Sequence, residues 1–161
     1  MLGPAFKVSG NSPLIGQPLK GDYAVIDIPR TARFLRIPYK QPTPFPIGTQ
    51  NAARAFYWLN DSDPLLAVRF AKLAYATYFG EAIDISSAET VAALAAAAGG
   101  NRDEVARAVN DPVVKDRLKA EVEASLARGV FGSPYFIVDG EPFWGNDRLE
   151  QLDAWLATDG F

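Results

Sequence analysis

Two short stretches near the C-terminal end hold the residues best placed for chemistry. The first is Gly129-Val130-Phe131-Gly132-Ser133-Pro134, which leads directly into the β-rich segment Tyr135-Phe136-Ile137-Val138. A proline between a flexible loop and a strand is a natural position for a cis peptide bond, which before proline costs only about 0.5–1 kcal/mol. In the cis form the Ser133 N–H and C=O face outward as an open strand edge, able to pair with an extended, peptide-like ligand through main-chain hydrogen bonds. A plain trans turn is the alternative that the spacing leaves open. The second stretch is Phe143-Trp144-Gly145-Asn146-Asp147-Arg148. Free N–H groups at a helix start attract a carboxylate, the Asn146 side chain adds a polar contact, and Asp147 can meet an ammonium. An amino-acid head carries both groups on one carbon and suits this pair. An ordinary helix cap with an acid in its first turn uses the same residues.

Composition narrows the chemistry further. None of the 161 residues is cysteine or histidine. That removes disulfides, thiol nucleophiles, metal sites built on Cys or His, and every mechanism with imidazole as the base. Carboxylate, amine, hydroxyl and backbone chemistry remain, together with chemistry carried by a bound small molecule. Sixteen Lys and Arg against nineteen Asp and Glu give a formal charge of -3, which demands no nucleic-acid partner. Lys7, Lys20, Arg30, Arg33, Arg36 and Lys40 nevertheless outnumber Asp22 and Asp27 in the first third. Such a basic edge either attracts a small anion or is a solvated face. No run of about 18 apolar residues is long enough to span a membrane. The opening Met-Leu-Gly-Pro-Ala-Phe-Lys lacks the pattern of a secretory leader, so the expected address is the cytoplasm.

The chain has the length of one domain of about 100–200 residues, and three segments must position these stretches. Residues 1–48 are proline-rich, with eight of the twelve prolines before residue 47, and admit one short helix between Asp22 and Leu35. In it Ile26, Ala32, Phe34 and Leu35 are expected to face inward around Pro29. Residues 49–128 read as five helices joined by short links. Thr49 starts the first, with Ala52, Ala55, Phe56 and Leu59 inward. Asp61-Ser62-Asp63-Pro64 starts the second, which carries Leu66, Phe70, Leu73 and Ala74 and stops at Gly80. Ser86-Ser87-Ala88-Glu89 has a capping-box pattern, and Asn101-Arg102-Asp103-Glu104 repeats it. Asp111-Pro112 opens the last, with Val113, Leu118, Val122 and Leu126 as its stripe. In residues 129–161, Asp139-Gly140 reads as a primed two-residue turn between 135–138 and Glu141-Pro142-Phe143-Trp144. Asn146 then caps a closing helix that turns Leu149, Leu152, Trp155 and Leu156 one way.

Taken in order, Phe6-Lys7, Gly10-Asn11-Ser12-Pro13, Lys20-Gly21-Asp22-Tyr23, Phe45-Pro46-Ile47, Phe-Gly-Ser-Pro at 131–134 and Phe-Trp-Gly-Asn-Asp-Arg-Leu at 143–149 form a set. This set resembles the 2-hydroxychromene-2-carboxylate isomerase family and its relative, kappa-class glutathione transferase, within the thioredoxin-like superfamily. The resemblance covers essentially the whole chain. It implies an α/β fold, thioredoxin-like with a helical insertion, in one domain over 1–161. Members of the family open with a strand, a helix carrying a catalytic serine in a Ser-Pro-Tyr type motif, and a second strand. Neither Ser12-Pro13 nor Ser133-Pro134-Tyr135 matches that motif in its setting. The expectation is an N-terminally incomplete form, mostly α-helical with one C-terminal hairpin and a closing helix, and with little activity of its own.

By resemblance, glutathione is the cofactor. Ser133 pairs through its backbone with the cysteinyl part beside cis Pro134, Asn146 and Asp147 hold the γ-glutamyl group, and Asn11 reaches the ligand from its loop. Lys7 steers an anionic aromatic substrate. No catalytic residue and no metal ligand is assigned. The activity implied is glutathione-dependent isomerisation in aromatic catabolism, in which sulfur adds to a conjugated enone and leaves after rotation. A kappa-like transferase or thioredoxin-like oxidoreductase is the alternative within the superfamily, although the missing cysteine argues against the oxidoreductase. A non-catalytic ligand-binding or interaction module, docking through its hairpin, is the alternative outside it. No nucleic acid or membrane is an expected partner, and a homodimer is left open.

Overall fold

The computed structural model describes residues 2–161. Its elements, in chain order, are α1 (Gly3–Ser9), a 3-10 turn (Leu14–Gly16), α2 (Lys20–Phe34), α3 (Gln50–Ser62), α4 (Pro64–Tyr75), α5 (Ala88–Ala97), α6 (Arg102–Ala108), α7 (Pro112–Ala127), β1 (Tyr135–Val138), β2 (Glu141–Trp144), a second 3-10 turn (Asn146–Arg148) and α8 (Leu149–Thr158). The five expected central helices are α3 to α7. α4 continues into a π-helical turn at Ala76–Gly80, so Gly80 does mark its end. Two compact units divide the chain, one made of 13–122 and the other of 2–12 with 123–161.

The larger unit is built on helix packing. Ala55 and Leu59 of α3, Ala67 and Phe70 of α4, Val91, Ala92 and Ala95 of α5, and Val105 and Val109 form one buried cluster. Alanines at 55, 67, 92 and 95 let the helix backbones approach closely, and Leu59, Phe70 and the valines fill the space between them. A second cluster of Ala74, Tyr78 and Ile85 receives Phe45 and Ile47 from the proline-rich loop. The Tyr78 hydroxyl donates to the Pro44 carbonyl at 3.1 Å and so anchors that loop. Desolvation raises the Tyr78 pKa above the usual tyrosine value, which keeps this donor protonated. Thr43–Pro44 and Phe45–Pro46 are both cis.

Several expectations need correction at the level of elements. Residues 1–48 hold two α-helices and a 3-10 turn rather than one short helix. Pro4 sits in the first turn of α1, where its missing N–H would be unpaired anyway, so it starts a helix instead of preventing one. In α2 the buried residues are Gly21 and Ala24, while Ile26, Phe34 and Leu35 are exposed. The helix seats its small-residue side on the Leu14–Gly16 turn, and a Cβ at Gly21 would collide with the Ile15 carbonyl oxygen. In α7, Val114 and Leu118 are buried and Val113 points outward. The cap of α5 is Ser87, one residue later than the capping-box pattern suggests, with its hydroxyl accepting from Thr90 N–H at 3.0 Å.

Candidate functional site

In the smaller unit, α7 ends at Gly129 (φ 80), whose N–H bonds the Leu126 carbonyl at 2.9 Å while Val130 N–H bonds Ser125 at 3.0 Å. That left-handed stop turns the chain into the loop 130–134. The Ser133–Pro134 bond is cis. β1 follows and pairs antiparallel with β2 in the register Tyr135↔Trp144, Phe136↔Phe143, Ile137↔Pro142 and Val138↔Glu141. The turn between them has φ 53 at Asp139 and φ 86 at Gly140, as a primed turn requires.

The register decides which way each backbone group points. A two-residue primed turn makes Val138 and Glu141 a hydrogen-bonded pair, and such pairs recur at every second residue. Phe136 with Phe143 is the next pair. The series closes with Gly145 N–H donating to the Pro134 carbonyl at 3.1 Å. The amides and carbonyls of Tyr135 and Ile137 therefore point away from β2. Among the described residues the sheet has two strands only, and no hydrogen bond occupies the Ser133 backbone. Pro134 lacks its N–H on the inner side, where β2 lies, and leaves the outer edge intact. Pro142 lacks its N–H on the opposite edge of the sheet.

The Gly145–Pro134 hydrogen bond also joins the two stretches singled out in the sequence. It sets Ser133 and Pro134 beside the turn that carries Asn146 and Asp147, so four of the six candidate residues stand together. Lys7 is exposed in the last turn of α1. Asn11 lies just beyond that helix, where its N–H bonds the Phe6 carbonyl at 2.9 Å and its side-chain oxygen accepts from Ser12 N–H at 2.9 Å.

The expected Asn146 cap is not formed. Gly145, with φ 109 and ψ 154, occupies the position before the 3-10 turn, and Asn146 is the first residue inside it with no side-chain cap bond. The α-helix proper begins at Leu149 behind Arg148. Leu152 is the buried residue of α8, and Leu149 and Leu156 face outward, against the expected stripe. Asn146 and Asp147 are both exposed, and Asp147 is ion-paired with Arg148 at 3.0 Å.

Phe131, Gly132, Trp144, Gly145 and Arg148 lie in the two stretches singled out in the sequence, but no role was assigned to them there. The Trp144 indole lies so close to Gly132 that a Cβ there would overlap its Nε1. Phe131 packs edge-on to both Trp144 and Tyr135, with ring centroids 4.8 and 5.3 Å apart. A Cβ at Gly145 would strike the Asp147 carboxylate. Arg148 competes for that same carboxylate. The signal that was available is the pair of glycines, each one residue away from a ligand candidate. A concavity of about 240 Å³ lies between β2 and α8, lined by Phe143, Trp144, Arg148, Gln151, Trp155 and Phe161 among others, and includes none of the six candidate residues. Among the described residues no cluster of Asp or Glu is arranged for a metal ion, and no helix is long and apolar enough to cross a membrane.

A loop with cis proline ahead of an antiparallel hairpin and a closing helix is the C-terminal half of a thioredoxin-type arrangement, and the DSBA-like thioredoxin domain family matches residues 1–157. The chain belongs to this family. Among similar proteins, 2-hydroxychromene-2-carboxylate isomerase of Sphingobium xenophagum is 29% identical over 130 residues, covering 81% of this chain and 65% of that protein. Glutathione S-transferase kappa 1 of Rattus norvegicus is 26% identical over 164 residues, covering 94% of this chain and 73% of its own length. The solved structure of a 2-hydroxychromene-2-carboxylate isomerase superimposes with a TM-score of 0.86 at 23% identity, over 98% of this chain and 76% of that one. A putative protein disulfide isomerase from Nitrosomonas europaea superimposes with a TM-score of 0.70 at 18% identity. The chain is thus a thioredoxin-like DSBA-family domain whose curated relatives are isomerase and transferase enzymes, and it spans about two-thirds of the isomerase's length.

Proposed function

We propose that this protein binds glutathione at the Ser133–Pro134 edge and serves the isomerisation of 2-hydroxychromene-2-carboxylate or a similar anionic aromatic compound, in the cytoplasm. The observation that carries the reading is the Gly145–Pro134 hydrogen bond at 3.1 Å, which joins the loop of Ser133, whose backbone makes no hydrogen bond among the described residues, to the turn of Asn146 and Asp147. The residues present fit a γ-glutamyl tripeptide. The Ser133 N–H and C=O offer one donor and one acceptor to a peptide unit, which is what an extended cysteinyl residue presents. The Asp147 carboxylate suits the ammonium of the γ-glutamyl head, and the Asn146 amide suits its carboxylate.

Glutathione, when bound, supplies a thiol nucleophile that can add reversibly to a conjugated enone. The chain's own part is positional. The Ser133 backbone fixes the peptide axis, Asp147 turns from Arg148 to the ammonium, and Phe131, Tyr135 and Trp144 offer an aromatic surface beside the edge. Lys7 and Asn11 are assigned to the substrate anion and to glutathione, respectively.

Calorimetric titration with glutathione is the test. One molecule is expected to bind per chain, and Asp147→Asn to weaken it about tenfold by removing a charge-assisted hydrogen bond. No heat from the unaltered protein at millimolar glutathione overturns the reading. The kappa transferase among the relatives supports a second reading, conjugation to an electrophilic chloroarene. Since this form is expected to have little activity of its own, calorimetry of the glutathione complex separates the two by which compound it binds, the chloroarene or the chromene.

A further inference from the structure

We propose that Tyr39, Phe79 and Tyr75, with Lys72 and Lys40 beside them, form a seat for a planar aromatic anion, on residues that the glutathione reading does not use. Phe79 is the middle ring of three. Its plane lies 16° from that of Tyr39 and 14° from that of Tyr75, with ring centroids 6.5 and 6.3 Å away. Near-parallel rings at this spacing form an offset stack. Tyr75 is 66% exposed and has Phe79 as its one ring neighbour among the described residues, so a further flat ring can extend the stack there. The backbone gives a second, independent reason. Directly after Tyr75, α4 runs into the π-helical turn Ala76–Gly80. Such turns are rare and occur frequently at functional sites. Within it Thr77 and Tyr78 are buried, while the Phe79 carbonyl accepts from Lys40 N–H at 2.7 Å. That hydrogen bond draws the Tyr39–Lys40 stretch of the proline-rich loop against Phe79.

The cations select the ligand. Lys72 precedes Tyr75 by three residues on α4, which makes the two neighbours on the helix surface. Lys40 directly follows Tyr39. Both lysines are exposed, and neither makes an ion pair among the described residues. Glu81 and Asp84 follow the turn, and the Asp84 carboxylate is engaged by Ser86 N–H at 2.7 Å, so the lysines keep an excess of positive charge. A flat aromatic ring laid on Tyr75, with a carboxylate or sulfonate reaching Lys72, uses the stack and the cation together. A neutral aromatic uses the first alone and a saturated anion the second. Lys40, one of the basic residues of the first third, adds to the field that draws the anion in.

Titration with 2-naphthoate in the absence of glutathione, followed in proton–nitrogen correlation spectra, tests this. Saturable shifts are expected at the amides of 39–40 and 72–81, with a dissociation constant of about 1 mM, the ordinary yield of a ligand this small. 2-Naphthylmethanol carries the ring without the charge and is expected to bind about tenfold more weakly. Lys72→Glu is expected to weaken 2-naphthoate by a similar factor and to leave the neutral alcohol unchanged. Tyr75→Ser is expected to abolish saturation and Tyr75→Trp to keep it, which separates loss of the stacking ring from a disturbed π-helical turn. No saturable shift, shifts confined to 133–147, equal binding of acid and alcohol, or a Tyr75→Trp variant as inert as Tyr75→Ser overturns the proposal. The result is independent of the glutathione reading, since no glutathione is present and the shifts report which residues are touched.

Discussion

Gly145 shows how a single residue can govern the turn proposed to hold the γ-glutamyl head. Its φ of 109 lies in the region that favours glycine, and a Cβ there would strike the Asp147 carboxylate. Gly145→Ala therefore combines backbone strain, worth about 1–3 kcal/mol, with displacement of the acid assigned to the γ-glutamyl ammonium. The expected outcome is a lower midpoint in urea unfolding together with weaker glutathione binding by calorimetry. Gly16→Ala is the control, since that position has an ordinary φ and open space around it, and it is expected to leave both measurements within error. The sequence already marked Gly145 as part of a motif, but its reason for being glycine depends on a collision two residues away that only coordinates reveal. The same holds for Gly132 under Trp144. The cis Ser133–Pro134 bond, by contrast, was one of the two alternatives the sequence left open, because a proline between a loop and a β-rich run restricts the backbone locally.

Among the elements, capping chemistry separates what a sequence can tell from what it cannot. Asp63 and Thr49 both read as N-caps, and both do stand at the start of helices. Only Asp63 makes the bond, its carboxylate accepting from Leu66 N–H at 2.9 Å, with Pro64 set in the first turn. Asp63→Ala should destabilise the protein by about 1 kcal/mol, whereas Thr49→Ala should cost only a few tenths, as urea midpoints can measure. Helices α3 to α7 were readable because stop and start signals lie in the chain itself. The direction in which an apolar stripe faces was less readable. In α2 and α8, Ile26, Phe34, Leu149 and Leu156 have helical spacing yet lie exposed, since spacing defines a face without naming what covers it. α1 was missed because Pro4 counts as a breaker in the middle of a helix and as a favourable residue in its first turn.

For the molecule as a whole, the two units differ in how much apolar packing holds each together. The larger one surrounds Leu59, Phe70, Val91, Val105 and Val109, all essentially inaccessible to solvent, in a single connected cluster. The smaller one has Ala5, Phe143 and Leu152 as its buried apolar residues and a sheet of two four-residue strands. The half-buried Trp155 packs edge-on against Phe143 and Phe161, and its indole N–H is buried with no partner among the described residues. An isolated hairpin is at best marginally stable in water, and local opening follows packing density. Native-state hydrogen exchange is therefore expected to place the slowest amides in α3, α4 and α5, around Leu59, Phe70 and Val91. The amides of Phe136, Val138 and Phe143 should exchange through smaller openings and well before global unfolding. Saturating glutathione should slow the 133–138 and 143–147 segments selectively, because a ligand that needs the closed edge stabilises it by mass action. Equal protection in both units would contradict this distribution of stability. Protection of the hairpin without any effect of glutathione would instead leave the packing argument standing and remove the ligand from that edge.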